Sequence, residues 1–465
     1  MTDTSYDPRT FSALTFFDCP AQFASGQDTP RAYLERCIEV IEQREPVVQA
    51  FAHLNVEGAR AAADDSTKRW RSGNQRSAID GLPVGIKDLL ETRDMPTEMN
   101  CEALAGNFPK RDNAAVWALR EAGAIPFGKT VTAELGGSHP GPTTNPFDRT
   151  RTPGGSSSGS AAAVAARMMP AAIGSQVGGS IIRPAGFCGN FALKPTQGGI
   201  NRGERMATSM STHGVHAGSM EDMWQVAIEI SSRAGGDRGC RALAGPRTLP
   251  APVKPQRLII LETEGWEIVD ETSKKAFETF AAQLADRGVE LVRRAYDGRV
   301  EALEKAISHA NWICATITAW ENRWTQRNIV DEKGVELSER AMAILLKAEA
   351  SDVETYELAL IARDQAQALH RETLRSGDAM ITLSCPGPAP VWEGDEQGNR
   401  TERPTGSAIF NYASSMLFAP VVSIPMLAVS GLPVGVQVIG QQHTDAAVTA
   451  YARWLHENAD PVVAD

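Results

Sequence analysis

The stretch from Thr152 to Thr196 reads TPGGSSSGSAAAVAARMMPAAIGSQVGGSIIRPAGFCGNFALKPT and contains no histidine. Its first half sets three consecutive serines, Ser156 to Ser158, after a glycine pair. The alanine-rich run Ser160 to Met169, closed by Pro170, reads as a helix with Ser156 just ahead of it. Its second half carries Gly178-Gly179-Ser180. Two glycines there permit a turn that few other residues tolerate, and such a turn can aim successive N–H groups at one point. A serine hydroxyl is a poor nucleophile at neutral pH and needs a base beside it. With no histidine in the block, the base must come from elsewhere, and Lys87 is the candidate. It ends the apolar run Leu82-Pro83-Val84-Gly85-Ile86, which reads as a short buried strand. Burial would bring the lysine down from about 10.4 toward neutrality, the condition for accepting a proton. The turn would supply an oxyanion hole, where losing one donor costs roughly 3–4 kcal/mol of barrier.

Taken singly, each residue has a plainer reading. Lys87 could snorkel or pair with Asp88, Ser180 could be a turn residue, and Ser156 could cap the following helix. Taken in order along the chain, they do not stand alone. Gly81 to Lys87, Gly128-Lys129-Thr130, Thr144-Asn145-Pro146, the Thr152–Thr196 block and Gly431-Leu432-Pro433-Val434-Gly435-Val436-Gln437 succeed one another. In this succession, from about Asp28 to His456, the sequence resembles the amidase signature family. The resemblance implies a Ser–cis-Ser–Lys triad: Lys87 matches the base, Ser156 the bridging serine with a cis peptide bond, and Ser180 the nucleophile. It further implies that the backbone amides of Val177, Gly178, Gly179 and Ser180 hold the oxyanion, with Ser157 and Ser158 supporting the turn. The implied activity is hydrolysis of the C–N bond of a small amide through an acyl-enzyme, with anilide and carbamate (urethane) substrates left open. The alternative is the amidase-like glutaminase subunit of a tRNA-dependent amidotransferase complex.

The chain also departs from that family. The commoner form has an acid before Gly-Gly-Ser, where this chain has Gln176, as a subset of relatives does. The amidotransferase component usually keeps the acid, so Gln176 argues against that alternative. Gln176, Arg183 and Ser157 are the candidate substrate contacts. Arg183 reads either as a structural ion-pair partner or as a contact for a substrate carboxylate. Further on, Ser211, Val215 and Gly218 stand where the family has Asp, Pro and Arg, which leaves the substrate unidentified. His213 and His216 in this segment lack the further ligands of a metal site and read as structural or pocket-wall residues. Cys188 reads as a small buried residue. The resemblance implies no metal and no organic cofactor.

Composition sets outer bounds. The net charge of −11 argues against nucleic-acid binding. No basic-then-apolar leader and no apolar run of about 18 residues is present, so no membrane association is expected. Seven scattered cysteines without a C-x-x-C pair fit free thiols in a reducing compartment, and the protein reads as cytoplasmic. Oligomeric state stays open, a homodimer being one compatible assembly.

Length alone would suggest about three domains. The resemblance instead implies one α/β amidase signature domain over 1–465, a central twisted mixed β-sheet covered by α-helices on both faces. Within it fall an N-terminal helical segment (1–70), a catalytic core (76–246), and a helical variable region with closing strands (247–465). Residues 1 to about 27 are poorly periodic and read as a loose wrap or a contact with a partner protomer. Helices are expected over Thr29–Glu45, Asn55–Arg71, Asn113–Ala122 and Glu271–Gly288, and strands at Ala124–Phe127, Leu258–Leu261 and Thr382 onward. Residues 300–376 read as helical, with Trp312, Trp320 and Trp324 forming a helix-face core or a pocket wall. Phe410-Asn411 and Pro420–Pro425 resemble closing strands. Gly123 to Thr130 matches the P-loop spelling, but a helix precedes it and its interior is apolar, so a phosphate nest is not expected.

Overall fold

The run that ends in Lys87 is strand β2, Pro83–Lys87, buried along its whole length. The computed structural model describes residues 5–137, 139–204, 208–335, 337–392 and 404–465. Residues 1–4 of the N-terminal stretch and Glu336 of the helical region lie outside the described residues.

Among the described residues, twelve strands form one mixed sheet. They are β1 Phe51–Leu54, β2, β3 Ile125–Thr130, β4 Ala171–Gln176, β5 Phe191–Lys194, β6 Thr212–Ala217, β7 Arg257–Ile260, β8 Glu290–Val292, β9 Ala379–Leu383, β10 Val421–Val429, β11 Leu432–Ile439 and β12 Val462–Ala464. The order is β1-β3-β2-β4-β6-β5-β10-β11-β9-β7-β8, with β12 beside β10. β2 lies between β3 and β4 and runs parallel to both. β4 and β6 are antiparallel, with Ser175 opposite His213 and Ala172 opposite His216.

The helices are α1 Cys19–Ser25, α2 Pro30–Val48, α3 Val56–Arg71, α4 Ala114–Glu121, α5 Ser158–Ala165, α6 Ile182–Cys188 and α7 Met220–Ala234. After them come α8 Glu271–Asp286, α9 Gly298–Ile307, α10 Ala310–Lys333, α11 Glu339–Glu349, α12 Val353–Thr373, α13 Ile409–Met416 and α14 Asp445–Asn458. Side-chain alternation along the strands feeds two layers. Leu258, Ile260, Ala379 and Ile381 join a core with Trp224 and Phe277 of α7 and α8. Ile259 and Met380 instead meet Ile182, Ile313, Ala359 and Ala413 of α6, α10, α12 and α13. The sheet is therefore covered by helices on both faces, as expected.

Helix starts follow their caps. Thr29 accepts from the Ala32 amide ahead of Pro30, and Asn55 and Asn113 do the same work for α3 and α4. Each such cap contributes about 1 kcal/mol. The P-loop spelling starts just past the end of α4 and runs along β3, and Lys129 is buried with its ammonium 2.8 Å from Asp88. Asp88 thus pairs with Lys129, not with Lys87.

Several expectations are corrected. The N-terminal stretch is not a loose wrap: Tyr6, Phe16, Cys19 and Phe23 are buried, and the rings of Tyr6, Phe16 and Phe23 pack edge-on against Phe147, Tyr33 and Trp70. The helix after the serine run begins at Ser158 and ends at Ala165, and Arg167 then turns at φ 62°. Phe410-Asn411 belongs to helix α13, not to a strand. Trp312 and Trp324 are 46% and 65% exposed, because α10 turns Ala310, Ile313, Cys314 and Ile317 inward instead. Trp320 stacks on Tyr356 of α12 at 5.6 Å. Among the described residues, no helix is long and apolar enough to cross a membrane.

Candidate active site

Strand β2 delivers Lys87 fully buried to the end of β4 and to the turn that precedes α5. Its Nζ lies 2.7 Å from Ser156 Oγ, 2.9 Å from Ser175 Oγ and 3.3 Å from the Ser175 carbonyl oxygen. Burial, and secondarily the Arg183 guanidinium, push the Lys87 amine well below its ordinary value. Among the described residues no carboxylate offsets that shift, since Asp88 faces Lys129. The peptide bond between Gly155 and Ser156 is cis. Arg183, buried in α6, donates to the Gly155 carbonyl and, at 3.1 Å, to Thr405 Oγ1. Its placement is against the backbone that presents Ser156.

Ser157 and Ser158 tie that backbone down. Ser157 Oγ donates to the Ser175 carbonyl at 3.2 Å and accepts from the Ser175 amide at 3.2 Å. Ser158 Oγ reaches the Val131 carbonyl. Ser180 follows the glycine turn and is half-buried, and its carbonyl accepts from the Ser157 amide at 3.4 Å. That bond draws the nucleophile candidate and the serine run together.

The Val177–Ser180 turn leaves β4 and enters α6. Gln176 Oε1 accepts from the amides of Ile181 and Ile182 at 2.9 and 3.0 Å, and its Nε2 donates to Ser415 Oγ at 2.9 Å. Both ends of this side chain are thus spent on protein groups. The amides of Gly178, Gly179 and Ser180, by contrast, donate to no group among the described residues. Helix α13 backs the turn closely. A Cβ at Gly178 would lie 2.6 Å from the Tyr412 ring, and one at Gly179 would lie 2.6 Å from Asn411 Oδ1. Only glycine fits at either position.

His213 and His216 are buried on β6, with burial, above all, lowering each imidazole to about 3. His216 packs over Gly174, beside Ser157. Cys188 is fully buried, its thiol is pushed up by burial, and its Sγ faces the Pro153 carbonyl. Two groups escaped the sequence reading. Ser175 was signalled only as one of two polar residues that end the AAIGSQ strand. Ser415 gave no local signal, because its partners lie 239 and 237 residues away. A depression of about 370 Å³ is lined by Asn100, His139, Pro140, Gly141, Pro142 and Trp392. At Gly136 a Cβ would stand 3.9 Å from Ser156 Oγ.

The amidase family profile matches residues 32–449. A glutamyl-tRNA(Gln) amidotransferase subunit from Synechococcus sp. (strain WH7803) is 30% identical, over 94% of this chain and 96% of its own length. Its counterpart from Chloroflexus aggregans (strain MD-66 / DSM 9485) is 42% identical over 195 residues, a match that spans only 40% of that relative and 41% of this chain. A solved structure described as an amidase superposes with a TM-score of 0.83 at 27% identity, covering 96% of this chain and 100% of the other. The chain therefore belongs to the amidase family.

Proposed function

We propose that this chain hydrolyses a carboxamide C–N bond by a Lys87–Ser156–Ser180 relay. The observation that carries the reading is the surround of the Lys87 amine. A neutral amine has two N–H groups and one lone pair. Ser175 offers its carbonyl and hydroxyl oxygens to the N–H groups, and Ser156 Oγ sits at 2.7 Å for the lone pair.

The steps balance without any further group. Lys87 takes the Ser156 proton as Ser156 takes that of Ser180, and Ser180 Oγ bonds to the carbonyl carbon. The unspent amides of the turn hold the developing oxyanion. Collapse breaks the C–N bond, and the amine leaves with a proton from Ser156, which Lys87 restores. Water then adds to the acyl-enzyme by the same relay, and Ser180 regains its proton as the acid departs. Arg183 and Gln176 act through the backbone they hold.

A small amide, anilide or carbamate is the substrate class of the main reading. A second reading has a specific observation behind it: the curated relatives named above are amidotransferase subunits. On that reading glutamine is the amide, and ammonia passes to a partner protein. Gln176 does not count against it, since its Oε1 accepts two helix amides as a carboxylate oxygen would. Product analysis by mass spectrometry tests both. The substrates would be an alkyl amide, an acyl anilide, an N-aryl carbamate, a dicarboxylic monoamide and glutamine, with Ser180→Ala as control. Turnover lost in Ser180→Ala is expected for at least one member, and a glutamine-only profile selects the second reading. If nothing turns over and a fluorophosphonate leaves Ser180 unlabelled, the relay is wrong.

A further inference from the structure

The Gly178–Gly179 peptide is flanked by glycine on both sides, so rotating its plane meets little steric resistance from side chains. Yet its direction matters to the proposed chemistry. A trans peptide is planar, and its N–H points opposite to its C=O. Whatever fixes the Gly178 carbonyl therefore also fixes the Gly179 N–H, one of the unspent amides of the turn. The Gly178 carbonyl accepts a hydrogen bond from Ser415 Oγ at 2.7 Å. Ser415 is itself held, accepting from Gln176 Nε2 at 2.9 Å, while Gln176 Oε1 anchors the first amides of α6. Both side chains are buried. The chain Gln176–Ser415–Gly178 thus closes a loop around the turn from strand end to helix start.

We propose that Ser415 is a positioning residue that fixes the Gly178–Gly179 peptide plane and so aims the Gly179 N–H into the oxyanion hole. This rests on the hydrolase reading above. The donor is supplied from α13, an element that also carries the Tyr412 ring against Gly178. Substitution of Ser415 should impair the step in which negative charge develops on oxygen, and should leave binding of the uncharged substrate nearly as it was.

The test compares wild type, Ser415→Ala, Ser415→Thr and Ser415→Cys. Two readouts are used: the rate of fluorophosphonate labelling at Ser180, and kcat and KM for a p-nitrophenyl ester and its thiono analogue. Sulfur accepts hydrogen bonds poorly, so the oxygen-over-sulfur preference reports on the hole and not on general folding. Ser415→Ala is expected to lower kcat on the oxygen ester about 10- to 100-fold, with KM within about twofold, and to lower the oxygen-over-sulfur ratio. Ser415→Thr, which keeps the hydroxyl, should recover most of both. Ser415→Cys keeps a similar volume with a weak donor and should behave as the alanine variant, which covers the case where alanine does not fold. A labelled wild type with an unchanged ratio in the alanine and cysteine variants overturns this inference alone. A wild type that is neither labelled nor active on either ester overturns the hydrolase reading and this inference with it.

Discussion

At the scale of a residue, the site turns on a lysine held where an ammonium is disfavoured. Lys87 is fully buried and has hydroxyl and carbonyl oxygens around it, but its neighbouring carboxylate belongs to Lys129. Its folded pKa lies well below 10.5, lowered first by burial. In the unfolded chain the amine stays protonated up to about 10.4. Below that pH, and above its own lowered value, the folded chain binds one proton fewer, so stability rises with pH through this window. Lys87→Met should therefore raise the melting temperature at neutral pH, with the gap closing as pH approaches about 10. On the proposed relay, the same variant should lose at least about 10³-fold in turnover, because members of such a relay act as a unit. In the wild type, kcat/KM should climb with pH through the lowered pKa and then level off. A Lys87→Met variant that melts below wild type across pH 7–10 would show that the amine is not held neutral.

At the scale of an element, what the sequence discloses divides by the range of the cause. α2, α3 and α4 were legible because Thr29, Asn55 and Asn113 cap them from the adjoining residue. β2 was legible as an apolar run between turn residues, and the lysine at its end stood out against that run. α13 was not. It has no capping side chain, and its apolar start reads equally well as strand. It is helical where Ala408, Asn411 and Tyr412 close over two glycines and Cys314 Sγ of α10 meets the Tyr412 carbonyl at 3.6 Å. Those partners are distant in sequence, so no local pattern announces them. The same reasoning covers Ser175, whose role exists only because β2 and β4 are neighbours. Close approach between elements also sets a sharp stability test at α5. A Cβ at Gly159 would stand 2.2 Å from the Ala50 carbonyl oxygen and 2.4 Å from the Val131 amide nitrogen, both backbone atoms. Neither can rotate away. Gly159→Ala should cost about 3 kcal/mol or more in urea unfolding, whereas Gly73→Ala, with open space around the site, should cost only what its φ of 68° imposes. Equal losses in the two variants would remove the case for tight α5–β3 packing.

At the scale of the whole molecule, the packing of sheet against helices places imidazoles where water does not reach, and this makes stability depend on pH well above the carboxylate range. His213, His216 and His370 are lowered by burial to about 3, 3 and 4, and Asp222 is raised by burial to about 7. The signs oppose. A lowered imidazole is neutral in the folded chain and charged once unfolded below about 6.5, so each takes up a proton on unfolding and stability falls as pH falls. A raised carboxyl is protonated in the folded chain and ionised once unfolded above about 3.9, so Asp222 releases a proton and stability gains as pH falls. At pH 5 three groups oppose one, and His456, also lowered, adds to the three. Without His456, the three imidazoles less Asp222 take up about two protons, roughly 2–3 kcal/mol lost per pH unit between about pH 6 and 5, and His456 steepens that loss. Urea unfolding at pH 5, 6 and 7 measures the slope directly. His216→Asn, which cannot take a proton, should flatten it by about one proton, since its site over Gly174 is then neutral in both states. Stability that is level from pH 7 to pH 5 in the wild type would mean that these rings are hydrated or paired in solution, and the dry environment described for β6 would have to be given up.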